Sequence, residues 1–270
     1  MKSILLIGCG HMGGSLLESW IKTKKYSFNI IDPKMYSKIN KKFNNKYVTS
    51  FKSIESIKNF KRYDFIIFAV KPIDLKLILK NFKLIKFKKN IVAISIVAGK
   101  KINIFEKNIF NINQIVRVMP NLPAIIGQSM NCMVSNKYVN KNNKNEIKKL
   151  FDITGMSIWL KNEDQIDKAT AISGSGPGYV FKFIDSMEKA ALNLGFNKNI
   201  SKLLVLETFK GSINLILKNK KNAEDLLLSV ATKGGTTEAG INIMNKNKIN
   251  NILSNAIKSA YKKAKQHSKK

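Results

Sequence analysis

The sequence predicts an α/β protein in which a doubly wound N-terminal domain is followed by an all-α C-terminal domain. Up to residue 157, short continuous apolar runs alternate with amphipathic stretches. This pattern is typical of buried parallel strands joined by helices. After the apolar run 158–160, helical periodicity continues and strand patterns nearly disappear. A glycine-rich turn also follows the first strand. The predicted domains are therefore residues 1–157 and 158–270.

The elements of the first domain follow from these apolar runs. The predicted strands are Ile4 to Ile7, Phe28 to Ile31, Phe65 to Val70, Ile91 to Ile96, Ile115 to Met119 and Ser129 to Val134. The helices predicted between them are Met12 to Lys22, Pro72 to Phe82 and Asn142 to Phe151. Because the strands are apolar throughout, we expect a parallel sheet with helices on both faces.

The second domain is predicted to contain only helices. They are Glu163 to Thr170, Gly178 to Leu194, Ser201 to Leu217, Ala223 to Val230, Ala239 to Met244 and Ile249 to Ala264. Two of them, 178–194 and 201–217, are apolar over most of their circumference, which exceeds what one small helical domain can bury. This predicts a second subunit packed against them. The basic segment Lys262 to Lys270 is predicted to be a frayed tail without function.

Composition excludes several classes of protein. With 44% hydrophobic and 24% charged residues, the chain is globular rather than disordered. Its apolar runs fall short of the roughly 18 to 20 residues that cross a bilayer, and the first run is too short for a signal peptide. The cysteines, Cys9 and Cys132, fit a reducing compartment. We therefore expect a cytoplasmic protein.

The net charge of +31 raises the alternative of a nucleic-acid or anionic-membrane ligand. The cations are almost entirely lysines, scattered along the chain, and the arginines are only Arg62 and Arg117. Recognition of phosphates and base edges favours the planar arginine fork. We interpret the charge as a compositional bias of solvated faces, whose field speeds the arrival of anionic ligands.

The glycine-rich turn Gly8-Cys9-Gly10-His11-Met12-Gly13 lies between the first strand and the first helix. In this spacing one glycine makes the tight turn, the next lets a pyrophosphate approach the backbone, and the third lets helix and strand pack closely. An acidic residue, Asp32, ends the second strand. The combination predicts a Rossmann-type dinucleotide site, with simple packing of a glycine turn as the alternative.

The identity of the dinucleotide depends on Asp32. A carboxylate that accepts both ribose hydroxyls favours NADH and repels the 2′-phosphate of NADPH. Lys34 and Lys38 lie close enough in sequence to weaken that repulsion, so both coenzymes stay open and Asp32 leans to NADH. His11 is interpreted as a loop residue. No Cys/His cluster predicts a metal site.

Further motifs recur in order along nearly the whole chain. They are Ala69-Val70-Lys71-Pro72, Ser95-Ile96-Val97-Ala98-Gly99, the segment Val116 to Ala124, Ile172 to Phe181 with its Ser-Gly-Ser-Gly-Pro, and Val230 to Gly240 with its Gly-Gly-Thr-Thr. Together they make the chain resemble pyrroline-5-carboxylate reductase, the last enzyme of proline biosynthesis.

This resemblance implies NAD(P)H-dependent reduction of 1-pyrroline-5-carboxylate to L-proline. It also implies a helical C-terminal dimerisation domain that interlocks with a partner, giving homodimers and often decamers. The cofactor-binding residues that it implies are Gly8, Gly10, Met12, Gly13, Asp32, Val70, Lys71, Pro72 and Ala98. The substrate-binding residues are Gly234, Gly235, Thr236 and Thr237, with Glu163 as a weaker candidate.

The chain departs from the family pattern in places that shape the pocket. Thr232-Lys233 replaces the usual Ser-Pro, Leu122 replaces a threonine, and Gly178 replaces an alanine. Lys233 removes the restriction that proline places on φ and adds a cation. These changes affect the details of the pocket and leave the expected reaction class unchanged.

The Gly-Gly-Thr-Thr segment suits a small anionic imine. The backbone N–H groups of Gly234, Gly235 and Thr236 precede a helix predicted to start near Thr236, where unpaired donors and the helix dipole favour a carboxylate. Thr237 is the predicted catalytic residue, whose hydroxyl can be offered to the ring nitrogen, and Glu163 would stabilise the iminium if it lies close to it. An ordinary helix cap is the alternative. No general acid is evident.

Two other functions share this architecture. A β-hydroxyacid dehydrogenase requires a catalytic lysine followed one turn later by an asparagine, whereas this chain has Lys182 followed by Ser186. A non-catalytic nucleotide-binding protein has no need of the second ligand site that the Gly-Gly-Thr-Thr segment provides.

Overall fold

The computed structural model describes residues 1–43, 45–219 and 221–269, and the chain forms two compact units. Unit 1 consists of Met1–Ser175 together with Ala260–Lys270, and unit 2 is Gly176–Ser259. Lys270, at the end of the second predicted domain and of the predicted basic tail, lies outside the described residues.

The described residues of unit 1 form one sheet of eight strands. They are β1 (Lys2–Ile7), β2 (Tyr26–Ile31), β3 (Val48–Phe51), β4 (Phe65–Phe68), β5 (Val92–Ser95), β6 (Gln114–Met119), β7 (Ser129–Ser135) and β8 (Gly155–Trp159). Their order in the sheet is β3-β2-β1-β4-β5-β6-β7-β8. The chain therefore reverses direction across the sheet between β1 and β4, and this switch point is where doubly wound sheets bind ligands.

The described sheet is predominantly parallel, as expected, and contains one antiparallel pair that the sequence did not predict. Strands β6 and β7 are antiparallel, with Arg117 opposite Val134. The loop between them, 120–128, is too short for the crossover of a dozen or more residues that parallel neighbours need. Strand β8 then pairs with β7 in parallel, after helix α5.

Helices cover both faces of the sheet, as predicted. The helices of unit 1 are α1 (His11–Lys22), α2 (Tyr36–Lys42), α3 (Leu75–Phe82), α4 (Ile102–Glu106), α5 (Lys141–Asp152) and α6 (Glu163–Ala169). One core packs α1 and α5 against alternate sheet residues, and the other packs α3, α4 and α6 against the remaining ones. A π-helical turn, Thr170–Gly174, follows α6.

Unit 2 is helical in the part that the structure describes. It contains α7 (Gly176–Asn193), α8 (Lys198–Lys218), α9 (Ala223–Val230), α10 (Thr236–Lys246) and the first turns of α11 (Ile249–Lys269). Many large apolar side chains of α7 and α8 are exposed, including Phe181, Leu203 and Leu217 at 55%, 63% and 77%. Among the described residues, no helix is long and apolar enough to span a membrane.

The two ends of unit 2 differ from the boundaries expected from sequence. Helix α6 belongs to unit 1 because Ile166 packs in its core and Asp167 pairs with Arg117. The end of α11 also belongs to unit 1, where Ser268 is only 5% exposed. The interpretation of 262–269 as a frayed tail was therefore wrong, since its last turn is fixed by a buried hydrogen bond.

Candidate active site

The glycine turn between β1 and α1 has the geometry that a dinucleotide needs. Gly8 has φ +90°, and a Cβ there would lie 2.7 Å from the carbonyl oxygen of Ala69. A Cβ at Gly13 would lie 2.7 Å from the carbonyl oxygen of Gly8. At Gly10 the described residues place no atom within 4 Å of that position. Two glycines therefore allow close packing, and Gly10 leaves open space beside the backbone.

The same turn presents the N-terminus of α1. The N-cap is Gly10, which has no side chain to bind the first amides of the helix. These N–H groups and the positive end of the helix dipole favour an anion such as a pyrophosphate. Met12, in the first turn, is half-buried and packs against the core. The turn fits a dinucleotide pyrophosphate.

Asp32 lies immediately after β2 and connects that strand to the glycine turn. Its Oδ2 accepts a hydrogen bond from the backbone N–H of Cys9 at 2.7 Å. Its Oδ1 accepts the N–H groups of Lys34 and Met35, each at 3.0 Å. With two donors on Oδ1 and one on Oδ2, the carboxylate keeps one lone pair on Oδ2 for a ribose hydroxyl.

Cys9 is buried inside the turn, with 3% of its surface exposed. Burial, together with the negative charge of Asp32, raises the pKa of its thiol to about 12. The thiol is therefore uncharged and unreactive at neutral pH. Sequence reasoning found the turn but missed that its second residue holds Asp32.

The remaining residues predicted to bind the cofactor lie where β4 and β5 end. Val70 follows β4, and its Cγ1 atom is 2.7 Å from the position of a Cβ on Gly8. Lys71 and Pro72 come next and are exposed, as is Ala98 after β5. Pro72 and Ala98 line a cavity of about 340 Å³ within unit 1. The structure thus gathers the predicted cofactor residues along one edge of the sheet.

A buried ion-pair network, centred on Arg117 and Asp167, forms part of the wall of this cavity. The guanidinium of Arg117 donates to Oδ1 of Asp167 at 3.0 Å and to Oε1 of Glu163 at 3.2 Å. Glu163 Oε1 also accepts the backbone N–H of Ile102, the first residue of α4, at 3.0 Å. Glu163, the weaker substrate candidate, therefore has two protein partners within unit 1.

Sequence reasoning missed the role of Arg117 and Asp167. A lone arginine inside the apolar strand Val116-Arg117-Val118 is a usable signal, because a buried guanidinium requires acidic partners. Its partner was not predictable, since Asp167 lies 50 residues further along the chain.

The predicted substrate residues lie at the start of α10 in unit 2. The helix begins at Thr236, as predicted, with Gly235 as N-cap and Gly234 at φ +77°. The N–H of Gly234 donates to Oε2 of Glu238 at 2.7 Å, and that of Gly235 to the carbonyl of Thr232 at 2.9 Å. Within the described part of the chain, the first-turn amides of Thr236 and Thr237 have no partner.

This geometry changes which backbone amides are available for the predicted carboxylate cradle. Two of the three amides predicted for it, those of Gly234 and Gly235, are already used inside the turn. The amides of Thr236 and Thr237 have no such partner among the described residues, and Thr237 is half-buried. Gly234 and Gly235 stay predicted substrate residues, with their amides bonded inside the turn in this structure.

Known protein families match both parts of the chain. A family model described as pyrroline-5-carboxylate reductase dimerisation matches residues 163–267. A model described as NADP oxidoreductase, coenzyme F420-dependent, matches residues 3–99. A pyrroline-5-carboxylate reductase of Aquifex aeolicus is 30% identical over 203 residues, which is 75% of this chain and 75% of the relative.

The chain belongs to the pyrroline-5-carboxylate reductase family. Another relative, pyrroline-5-carboxylate reductase 2 of Bacillus subtilis, is 29% identical over 271 residues, or 98% of this chain and 94% of its own length. Among solved structures, pyrroline carboxylate reductase of Plasmodium falciparum with NADP bound has a TM-score of 0.85 at 30% identity. That match covers 99% of this chain and 98% of the solved one.

Proposed function

We propose that this chain reduces 1-pyrroline-5-carboxylate to L-proline with NADH or NADPH, the last step of proline biosynthesis. The observation that carries the proposal is the first turn of α10. Its glycine N-cap leaves the amides of Thr236 and Thr237 open to an anion, next to a threonine hydroxyl. Membership of the reductase family and the dinucleotide geometry of the glycine turn support the same reaction.

The amides of α10 hold the substrate in this proposal. Each charge-assisted hydrogen bond to the carboxylate contributes on the order of 1.5 to 3 kcal/mol, so two suffice to orient so small a ring. The hydroxyl of Thr237 contacts the ring nitrogen. The protonated imine is already electrophilic, and positioning supplies most of the catalysis.

The glycine turn and the edge of the sheet hold the coenzyme. Gly8, Gly10, Met12 and Gly13 form the pyrophosphate site, and Val70, Lys71, Pro72 and Ala98 border the nicotinamide half. When bound, the reduced nicotinamide supplies a hydride to the C=N carbon. Glu163 acts in unit 1, where it holds Arg117 and the N-terminus of α4.

Asp32 sets the choice between the two coenzymes. Its remaining lone pair binds one ribose hydroxyl, which favours NADH. Its three amide donors, and the exposed Lys34 and Lys38, reduce the repulsion of a 2′-phosphate. We propose that the chain uses NADH more efficiently and accepts NADPH as well.

The exposed apolar faces of α7 and α8 point to a homodimer through the C-terminal helices. The matched dimerisation model covers this region. Assembly into decamers and a cytoplasmic location stay predictions.

Steady-state assays test the reaction. Oxidation of NADH and NADPH is measured with pyrroline-5-carboxylate, and reduction of NAD⁺ and NADP⁺ with a series of 3-hydroxyacids. We expect turnover with the imine only. Turnover with a 3-hydroxyacid, or tight coenzyme binding without turnover of the imine, would contradict the proposal.

A further inference from the structure

The end of α11 borders the cavity beside the coenzyme residues. Besides Pro72 and Ala98, the wall of this 340 Å³ cavity includes Ala264 and His267 from the last turns of the helix. These residues belong to unit 1, as do β4 and β5. A segment with the composition of a solvated tail therefore forms part of a cavity wall.

Two hydrogen bonds fix this segment on α6. The hydroxyl of Tyr261 donates to Oδ1 of Asp164 at 2.6 Å. The hydroxyl of Ser268 donates to Oδ1 of Asp167 at 2.7 Å, and Asp167 is 3% exposed. The same Asp167 oxygen accepts the guanidinium of Arg117. The end of the helix thus shares an acceptor with the buried ion pair.

Close backbone contact fixes the segment from the other side. Gly99 has φ +68°, and a Cβ there would lie 2.7 Å from Cβ of His267 and 3.2 Å from its carbonyl oxygen. A side chain at this position would therefore push α11 away from the sheet. The loop after β5 and the last turn of α11 are in direct contact.

The charges around the cavity indicate the chemistry of its ligand. Arg117 is neutralised by Asp167 and Glu163, so it does not attract a further anion. Lys100 is half-buried, and its flexible stem lets the ammonium reach water. Pro72, Ile73, Ala98 and Ala264 give the wall an apolar character. Lys100, Arg117, Asp167, Thr170 and His267 also line the cavity. Because Arg117 and Asp167 neutralise each other, the remaining wall suits a flat, uncharged aromatic amide better than a phosphate or a carboxylate.

We propose that the last turn of α11 is a positioning element for the nicotinamide end of the coenzyme: Tyr261 and Ser268 dock it on α6, and His267 borders the nicotinamide ring. This inference rests on the proposed function for the assignment of the coenzyme. His267 offers ring nitrogens that hydrogen-bond a carboxamide, and Ser268 acts through Asp167 without touching the ligand.

Calorimetric titration of the full chain tests the proposal without turnover. The ligands are NADH and ADP-ribose, which lacks the nicotinamide. For His267→Ala and Ser268→Ala we expect the Kd of NADH to rise about tenfold, the loss of roughly one net hydrogen bond, and that of ADP-ribose to stay within about twofold. Ser268→Thr keeps the hydroxyl and should restore NADH binding. Tyr261→Phe tests the same docking if Ser268→Ala fails to fold.

Matched controls are Ser56→Ala, at an exposed serine after β3, and Gln266→Ala, at the exposed neighbour of His267. Unchanged NADH affinity in the His267 and Ser268 variants would overturn the proposal. Equal weakening of NADH and ADP-ribose would also overturn it, since that indicates general loss of structure. Failure of the imine assay while NADH binding persists would contradict the proposed function, whereas the comparison of NADH with ADP-ribose binding would still test the role of α11.

Discussion

The carboxylate of Asp32 accepts the backbone N–H of Cys9 at 2.7 Å, so the acidic residue predicted to bind the coenzyme ribose also holds the glycine turn. Because two further amides bind the same carboxylate, its orientation is fixed before any ligand arrives. The shape of the turn therefore depends on one side chain, which in our proposal also sets the choice of coenzyme.

Replacing Asp32 should change coenzyme preference. In Asp32→Asn the negative charge is lost, and we expect the ratio of kcat/KM for NADPH to that for NADH to rise about tenfold. Steady-state kinetics with both coenzymes measures this ratio. Asp152→Asn, at an exposed carboxylate of α5, controls for the change in net charge. An unchanged ratio would show that Asp32 does not face the ribose.

Thr237 should affect turnover more than coenzyme binding. Loss of a hydroxyl that bonds a charged ring nitrogen costs about 1.5 to 3 kcal/mol, so Thr237→Ala should lower kcat by about 10- to 100-fold. The Kd of NADH, from fluorescence titration, should not change. Thr237→Ser retains the hydroxyl and should recover most of the turnover. Equal losses in kcat and coenzyme affinity would mean that Thr237 has been misplaced.

Substitution of Gly10 and of Gly13 by alanine should have different effects. Gly10 has an ordinary φ of −70° and open space at its Cβ position, so Gly10→Ala should fold normally but weaken NADH binding by at least about tenfold. Gly13→Ala forces a Cβ to within 2.7 Å of a carbonyl oxygen and should lower the free energy of unfolding by about 1 to 3 kcal/mol.

Urea unfolding without coenzyme and NADH titration together separate these effects. The assignment of separate roles would be refuted by a Gly10→Ala protein that is destabilised like Gly13→Ala, or by one that binds NADH normally.

Removing one partner of the buried ion pair Arg117–Asp167 should strongly lower the free energy of unfolding. Asp167→Ala leaves a buried guanidinium short of a partner, and we expect about 3 to 5 kcal/mol less free energy of unfolding. The exposed pair of Asp185 and Lys189 provides the control, and Asp185→Ala should leave the free energy of unfolding almost unchanged.

A double replacement, Arg117→Met with Asp167→Leu, should be less damaging than Asp167→Ala alone, because it removes both charges. Chemical denaturation of the three variants measures the differences. Equal stability of Asp167→Ala and Asp185→Ala would contradict a structural role for the pair.

Sequence reasoning located the main elements because their apolar periodicity is strong, and it missed those whose periodicity is weak. Strand β3 has four residues, none of them fully buried, and β8 is an edge strand with Met156 70% exposed. Neither apolar run is long enough to stand out from loop sequence. Helices α2 and α4 were missed for the same reason, since they have only seven and five residues.

Within the candidate site, residue types were predictable and partners were not. The glycine spacing predicted close packing at one glycine and free space for a pyrophosphate at another, because both depend only on backbone geometry. The occupation of the Gly234 amide by Glu238, and the docking of Ser268 on Asp167, depend on distances that the fold creates. A basic, polar segment such as 262–269 carries no local pattern that distinguishes a docked helix end from a solvated one.

Because unit 1 is interrupted by unit 2, its parts are synthesised far apart in time. The ribosome releases the sheet and α6 long before residues 260–268. The hydrogen bond between Ser268 and Asp167 therefore cannot form until the helices of unit 2 have been made. The order of translation therefore delays completion of the cavity wall, and the nascent sheet spends that interval with one side of the wall missing.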